Sequence, residues 1–208
     1  MSIELLSQVN NRYHMAILFH REQADLFWYL SLPGFAMMHE YQLAAESFIQ
    51  RKIKRFIIST YNRVSPDDIP KTANIITPLI KGKSRKETNS SERWTAIKES
   101  FKAYETWEDA TLREYERIAK QLSERGEIAS YRFVSKVVED VHTELSYISD
   151  LLLAYNSMDY DMPQIVSDQD TLFERYEYKM KKMHKHFKMY HHYNSAVDAE
   201  SKAVQLYD

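Results

Sequence analysis

Apolar side chains recur along this chain at alternating steps of three and four residues over four long stretches, the period of one helical face. The first stripe is Leu5, Val9, Arg12, Ala16, Phe19, Gln23, Leu26 and Leu30; it opens after Ser2, a candidate cap, and ends at Ser31-Leu32-Pro33-Gly34. The second runs Phe35, Met38, Gln42, Glu46, Ile49, Ile53 and Phe56. From about 61 to 93 the rhythm fails: Pro66, Pro70, Pro78, Gly82 and a polar run through Ser91 predict a long connection. A third stripe carries Ile97, Phe101, Tyr104, Glu108, Leu112, Tyr115, Ala119 and Leu122, and stops near Gly126. The fourth, Ile128, Tyr131, Val134, Val138, Val141, Glu144, Ile148, Leu152 and Tyr155, runs to a break at Pro163.

Short turn, long connection, short turn is the connectivity of a bundle whose second and third helices run parallel. The pattern therefore predicts an all-α four-helix bundle with one long crossover. A fifth amphipathic segment starts near Asp168 or Asp170 and buries Leu172, Tyr176, Met180, Met183, Phe187 and Tyr190. The expected division is a bundle over residues 1–160 and a basic helix with its tail over 161–208.

Composition narrows the function classes. The 208 residues include three glycines and five prolines, which suits long helices and excludes a phosphate-binding glycine loop. Twenty-eight basic against 30 acidic residues give a net charge of −2, no whole-chain signature of nucleic-acid binding. The absence of cysteine excludes disulfides, thiolate metal sites and cysteine nucleophiles. With neither a signal peptide nor an apolar run of membrane-spanning length, the expectation is a cytoplasmic protein.

The informative departures are acids on apolar stripes. Glu46, Glu108 and Glu144 each fall on the buried face of a different helix, and Arg12 falls on the first. Carboxylates inside a bundle are costly unless a cation or a proton accompanies them. Two readings follow: a metal site on these three glutamates, or a buried ion-pair network with Arg12.

Leu6-Ser7-Gln8-Val9-Asn10, Pro33-Gly34-Phe35-Ala36, Gln42, Glu46, Glu108, Ala119, Phe133, His142 and Glu144, in this helix order, resemble the bacterial-type non-haem ferritins. The likeness covers residues 3–157 and extends weakly to about 190. It implies a ferritin-like four-helix bundle with a C-terminal fifth helix, assembled as a cage of twenty-four copies that stores iron (Fe2+/Fe3+) as mineral. Carried over singly, the family's ferroxidase glutamates fall on Glu46, Glu108 and Glu144. The first-helix glutamate falls on Arg12, the second-helix histidine on Ile49 and the fourth-helix glutamine or glutamate on Val141. The resemblance thus implies a degenerate ferroxidase centre with weak or no activity, and a guanidinium at Arg12 would neutralise part of the carboxylate charge that attracts Fe2+.

The fifth segment adds a second candidate. Residues 171–193 hold Arg175 and five lysines against Glu174 and Glu177, with four histidines. Lys181, Lys182, His184, Lys185, His186, Lys188, His191 and His192 are the residues available to nucleic acid or metal. The readings are an ordinary packed helix, the family's channel-lining helix, a DNA-binding or protecting helix, and a contact with an anionic membrane surface. A structural cage without iron chemistry is the remaining alternative.

Overall fold

The computed structural model describes residues 2–63, 82–158 and 162–194, with the side chains of 162 and 184–194 outside the description. It contains α1 (Ser2–Tyr29), α2 (Pro33–Tyr61), α3 (Ser90–Glu124), α4 (Ile128–Ser157) and α5 (Met162–Asn194). Pairs across the interfaces fix the directions. His20 meets His39 and His14 meets Gln50, so α1 and α2 are antiparallel. Arg117 donates to Gln8 and Ser100 to Gln23, so α3 is also antiparallel to α1 and hence parallel to α2. Ser149 meets Glu105 and Tyr155 meets Phe101, which turns α4 back beside α3. The bundle is up-down-down-up, and the stretch between Tyr61 and Ser90 is the crossover.

Local chemistry explains where each helix stops. Ser31 takes the left-handed conformation (φ 63°), with Leu32 N–H donating to Phe27 carbonyl at 2.9 Å, which closes α1. Gly126 (φ 68°) repeats the motif after α3, with Glu127 N–H on Leu122 carbonyl at 3.0 Å; glycine adopts that conformation without steric cost. α3 begins at Ser90, earlier than its apolar stripe, because Asn89 and Glu92 form a reciprocal capping box. The last turn of α1 has no basic residue, and Arg85 from the crossover's end donates to its Trp28 carbonyl at 2.7 Å. Lys83 of the same stretch pairs with Glu92.

The apolar interior divides in two. One core gathers Phe27, Phe35, Phe101, Ile148 and Tyr155; the other gathers Leu6, Ile53, Tyr115, Ile118 and Val134. The layer between them, at mid-bundle, is polar: His20, His39, Gln42, Glu46 and Glu108 are buried there.

α5 begins at Met162, ahead of the expected Asp168 or Asp170, because Pro163 occupies its first turn, where a missing N–H costs nothing. Asp168 instead accepts from Tyr155 Oη at 3.0 Å. The helix joins the first core through Ile165, Leu172 and Tyr176. It runs parallel to α2, Gln169 opposite Gly34 and Tyr176 opposite Tyr41. Leu32 gives α2 no side-chain cap; the Gln169 amide oxygen supplies it, accepting from Gly34 N–H (2.9 Å) and Phe35 N–H (3.2 Å). A Cβ on Gly34 would overlap the Gln169 backbone carbonyl.

Gln169→Ala should therefore cost about 1–2 kcal/mol in urea unfolding, and Gly34→Ala about 1–3 kcal/mol through overpacking. Both should lower amide-exchange protection in α5 before the other helices. Unchanged protection of α5 would contradict this account of its docking.

Candidate metal centre

The three glutamates converge. Glu46 of α2, Glu108 of α3 and Glu144 of α4 line one cavity of ≈ 30 Å³ together with Ile49, Val141 and Asp140. That volume takes about one or two waters. Glu46 and Glu108 are buried, and Glu144 is half-buried.

The cation facing these acids is His20, not Arg12. His20 Nε2 stands 3.4 Å from Glu46 Oε1 and 3.7 Å from Glu108 Oε1. These are ion-pair separations without the alignment of hydrogen bonds, and His20 Nε2, Glu46 Oε2 and Glu108 Oε1 have no aligned partner. On its other side His20 Nδ1 meets His39 Nδ1 at 2.8 Å. Both rings are fully buried. His39 stacks on Phe27 (5.5 Å, 9°) and meets the Tyr104 ring edge-on at 4.9 Å.

Arg12 turns away from the cavity. Its Nε donates to Thr111 at 2.8 Å, its Nη2 to the Trp107 carbonyl at 3.2 Å, and its Cζ lies 3.8 Å above the Trp107 ring. Its nearest carboxylate is Glu114, at 3.9 Å. The expectation of a guanidinium seated among the three acids is corrected: the flat face of Trp107 draws the group towards α3, and its charge reaches Glu108 and Glu46 only at longer range.

Electrostatics follow the geometry. Burial pulls the His20 imidazole down, but Glu46 and Glu108 outweigh burial and raise it to about 10. Burial, then the charge of His20, pushes His39 well below its ordinary value. One ring is thus charged and the other neutral. Burial raises Glu46. Burial and then the charges of Glu108 and Glu46 raise Glu144 to about 8, so it keeps its proton at neutral pH.

His20 and His39 escaped the sequence reading although both sit on helical faces. Ala16, His20, Gln23 and Phe27 are spaced four, three, four, as are Phe35, His39, Gln42 and Glu46. Of the fifth-helix candidates, Lys181 pairs with Glu177 at 2.9 Å and Lys182 lies 4.7 Å over the Tyr178 ring. The side chains of His184, Lys185, His186, Lys188, His191 and His192 lie outside the described residues.

No family model matches this sequence, and no curated protein matches it. Solved structures do. An open-pore ferritin from the hyperthermophilic archaeon Archaeoglobus fulgidus superposes with a TM-score of 0.64 at 16% identity, over 83% of this chain and 94% of that one. A humanized archaeal ferritin gives 0.66 at 17% over the same shares. A PmFTN variant soaked in iron overnight gives 0.64 at 14%, over 81% of this chain and 96% of that one. The fold is that of the ferritins.

A resident pair of metal ions, which the resemblance to bacterial-type ferritins implies, does not fit this donor set. Ile49 and Val141 present hydrocarbon to the cavity, and the imidazole that reaches Glu46 and Glu108 does so as a cation. Among the described residues no three His, Asp or Glu side chains are placed to close on one ion. Nor, among them, is any helix long and apolar enough to cross a membrane.

The protonation pattern has a pH signature. Glu144 holds its proton to about 8 in the fold against 4.5 when unfolded, and His20 to about 10 against 6.5. The folded chain binds the extra proton in both cases, so stability falls with rising pH, from 4.5 to 8 through Glu144 and from 6.5 to 10 through His20. Glu144→Gln, which imitates the protonated acid, should match wild type at pH ~5 and exceed it by roughly 1–2 kcal/mol at pH ~9, a figure already reduced for its half exposure. Urea titrations at several pH values check this, and parallel wild-type and variant curves would refute it.

Proposed function

We propose that this chain is the subunit of a ferritin-like homo-oligomeric cage, of twenty-four copies, that stores iron as mineral, and that rapid paired oxidation at the bundle centre is weak or lost. The observation that carries this reading is the mid-bundle cavity of a ferritin fold. Three acids from α2, α3 and α4 line it, with Ile49 and Val141 where the resemblance implies ligands. Iron enters this scheme as cargo. Carboxylates are hard oxygen donors suited to it, and deposition then depends on acidic groups of the inner surface and on oxygen in solution.

Glu46, Glu108 and Glu144 line the bundle centre, and in this reading iron is not held there. His20 and the two aliphatic side chains work against a lasting pair. Of the α5 candidates for the DNA-binding alternative, the two described ones are already engaged, Lys181 with an acid on its own helix and Lys182 with an aromatic ring.

Stopped-flow oxidation with about two irons per subunit should show no fast saturating phase, the rate lying on the order of 100-fold below that of a ferritin with a full ligand set. Electron microscopy after slow aerobic loading should show dense cores inside closed shells. A fast phase would restore an active centre. Shells that stay empty would remove iron storage.

A further inference from the structure

The mid-bundle layer holds Glu46, Glu108 and Glu144, two imidazoles and one cavity. Glu46 and Glu108 come from different helices and are both buried. Two like charges at that depth require a cation or a proton between them. The Nε2 of His20 faces both, at 3.4 and 3.7 Å. We propose that the His20 ring cation takes the place of a metal ion in this bundle, so that the centre is complete when metal-free and rejects divalent cations.

The second histidine makes the assignment specific. Two Nδ1 atoms 2.8 Å apart need a proton on one of them. If His20 donates from Nδ1, it uses one N–H towards His39 and keeps the other for the glutamates. His39 then accepts at Nδ1 and carries its own proton on Nε2, which is buried without a partner among the Phe27 and Tyr104 rings. The reverse assignment would make His20 an acceptor at Nδ1 and so neutral, taking the charge from beside the two acids. Arg12 cannot exchange roles with His20, since Thr111, Trp107 and Glu114 hold it towards α3. His20 is thus the cation nearest Glu46 and Glu108, Arg12 acts on them only at longer range, and Glu144 carries its proton. A divalent ion entering the cavity meets an adjacent imidazolium and two acids already engaged.

The consequence is unusual in sign: removing a histidine should create a metal site. Without the ring, Glu46 and Glu108 lose their cation, and their unpartnered oxygens, Glu46 Oε2 and Glu108 Oε1, face enlarged space beside Glu144. That set of hard oxygens suits an ion such as Mn2+.

The test compares full-length wild type, His20→Ala and His20→Gln by Mn2+ titration, read by the loss of the free-ion electron paramagnetic resonance signal and by melting temperature. Wild type should take up no Mn2+ at the centre and melt at an unchanged temperature. Both variants should bind it, and at metal about 100-fold above Kd their melting temperature should rise by about 5–10 °C. Adding Glu46→Gln should abolish the gain. Should a variant be unfolded without metal, recovery of helical circular dichroism on Mn2+ addition supports the proposal and failure to recover overturns it. Wild-type binding at the centre that His20→Ala abolishes would make His20 a ligand and overturn it, as would folded variants that gain nothing. The inference deepens the reading of a lost paired-iron centre but fails separately from iron storage, since mineral cores read by microscopy do not depend on Mn2+ at this layer.

Discussion

The contact on which this bundle turns is His20 Nε2 facing Glu46 and Glu108. It joins α1, α2 and α3 at mid-bundle, where the His20 ring also meets Phe19 and Tyr104 of the first core. A helix bundle with continuous apolar stripes would fill that level with hydrocarbon and pack more tightly. Here the two cores are separate, and the gap holds charges whose individual desolvation costs are large. The layer persists only because each charge has an opposite at short range and the least compensated acid, Glu144, keeps its proton. Removing one member leaves the others exposed to that cost, which makes the layer a unit rather than a sum of pairs.

The ends of the helices follow a comparable logic, with distant residues supplying what local sequence lacks. α1 ends without a basic residue and receives Arg85; α2 begins without a capping side chain and receives Gln169. Both contacts join segments far apart in the chain, so helix termini and tertiary docking stabilise each other. α5 is thereby part of the bundle's interior through Ile165, Leu172 and Tyr176, although its outer face is basic. Glycine at 34 is the geometric condition for that docking, because any side chain there meets backbone rather than a yielding side chain.

How much of this was legible depends on the range of the interaction. The four stripes gave α1 to α4 and the crossover because one face of each helix is buried against its neighbours, and burial writes a period into the sequence. The starts of α3 and α5 were misplaced for local reasons. Asn89 and Glu92 sit inside a polar run that reads as loop, and Pro163 marks a first turn as readily as a break. The convergence of Glu46, Glu108 and Glu144 was legible because each interrupts an apolar stripe. Their cation was not. Arg12 has the right stripe position, but Trp107 on another helix decides where its guanidinium goes, and no spacing within α1 encodes that. His20 and His39 were hidden by type, since histidine is equally at home on a buried face and at its edge.

The half-buried acid links the layer to the fifth helix. Glu144 acts electrostatically on Tyr41 of α2 and on Tyr176 and Lys179 of α5. Lys179 in turn lies over the Tyr41 and Tyr176 rings, at 5.2 and 4.8 Å, so its ammonium stands at the seam between α2 and α5. Arg175 lies over the Tyr176 ring as well, at 5.7 Å, so two cations rest on aromatic faces there when Glu144 is protonated. When it ionises, it gains attraction from Lys179 and His20 but adds repulsion against Glu46 and Glu108. The two effects oppose one another, so the protonation of one acid on α4 couples the seam electrostatically to the centre. Burial together with two neighbouring acids outweighs the attraction of His20 and holds the proton on Glu144.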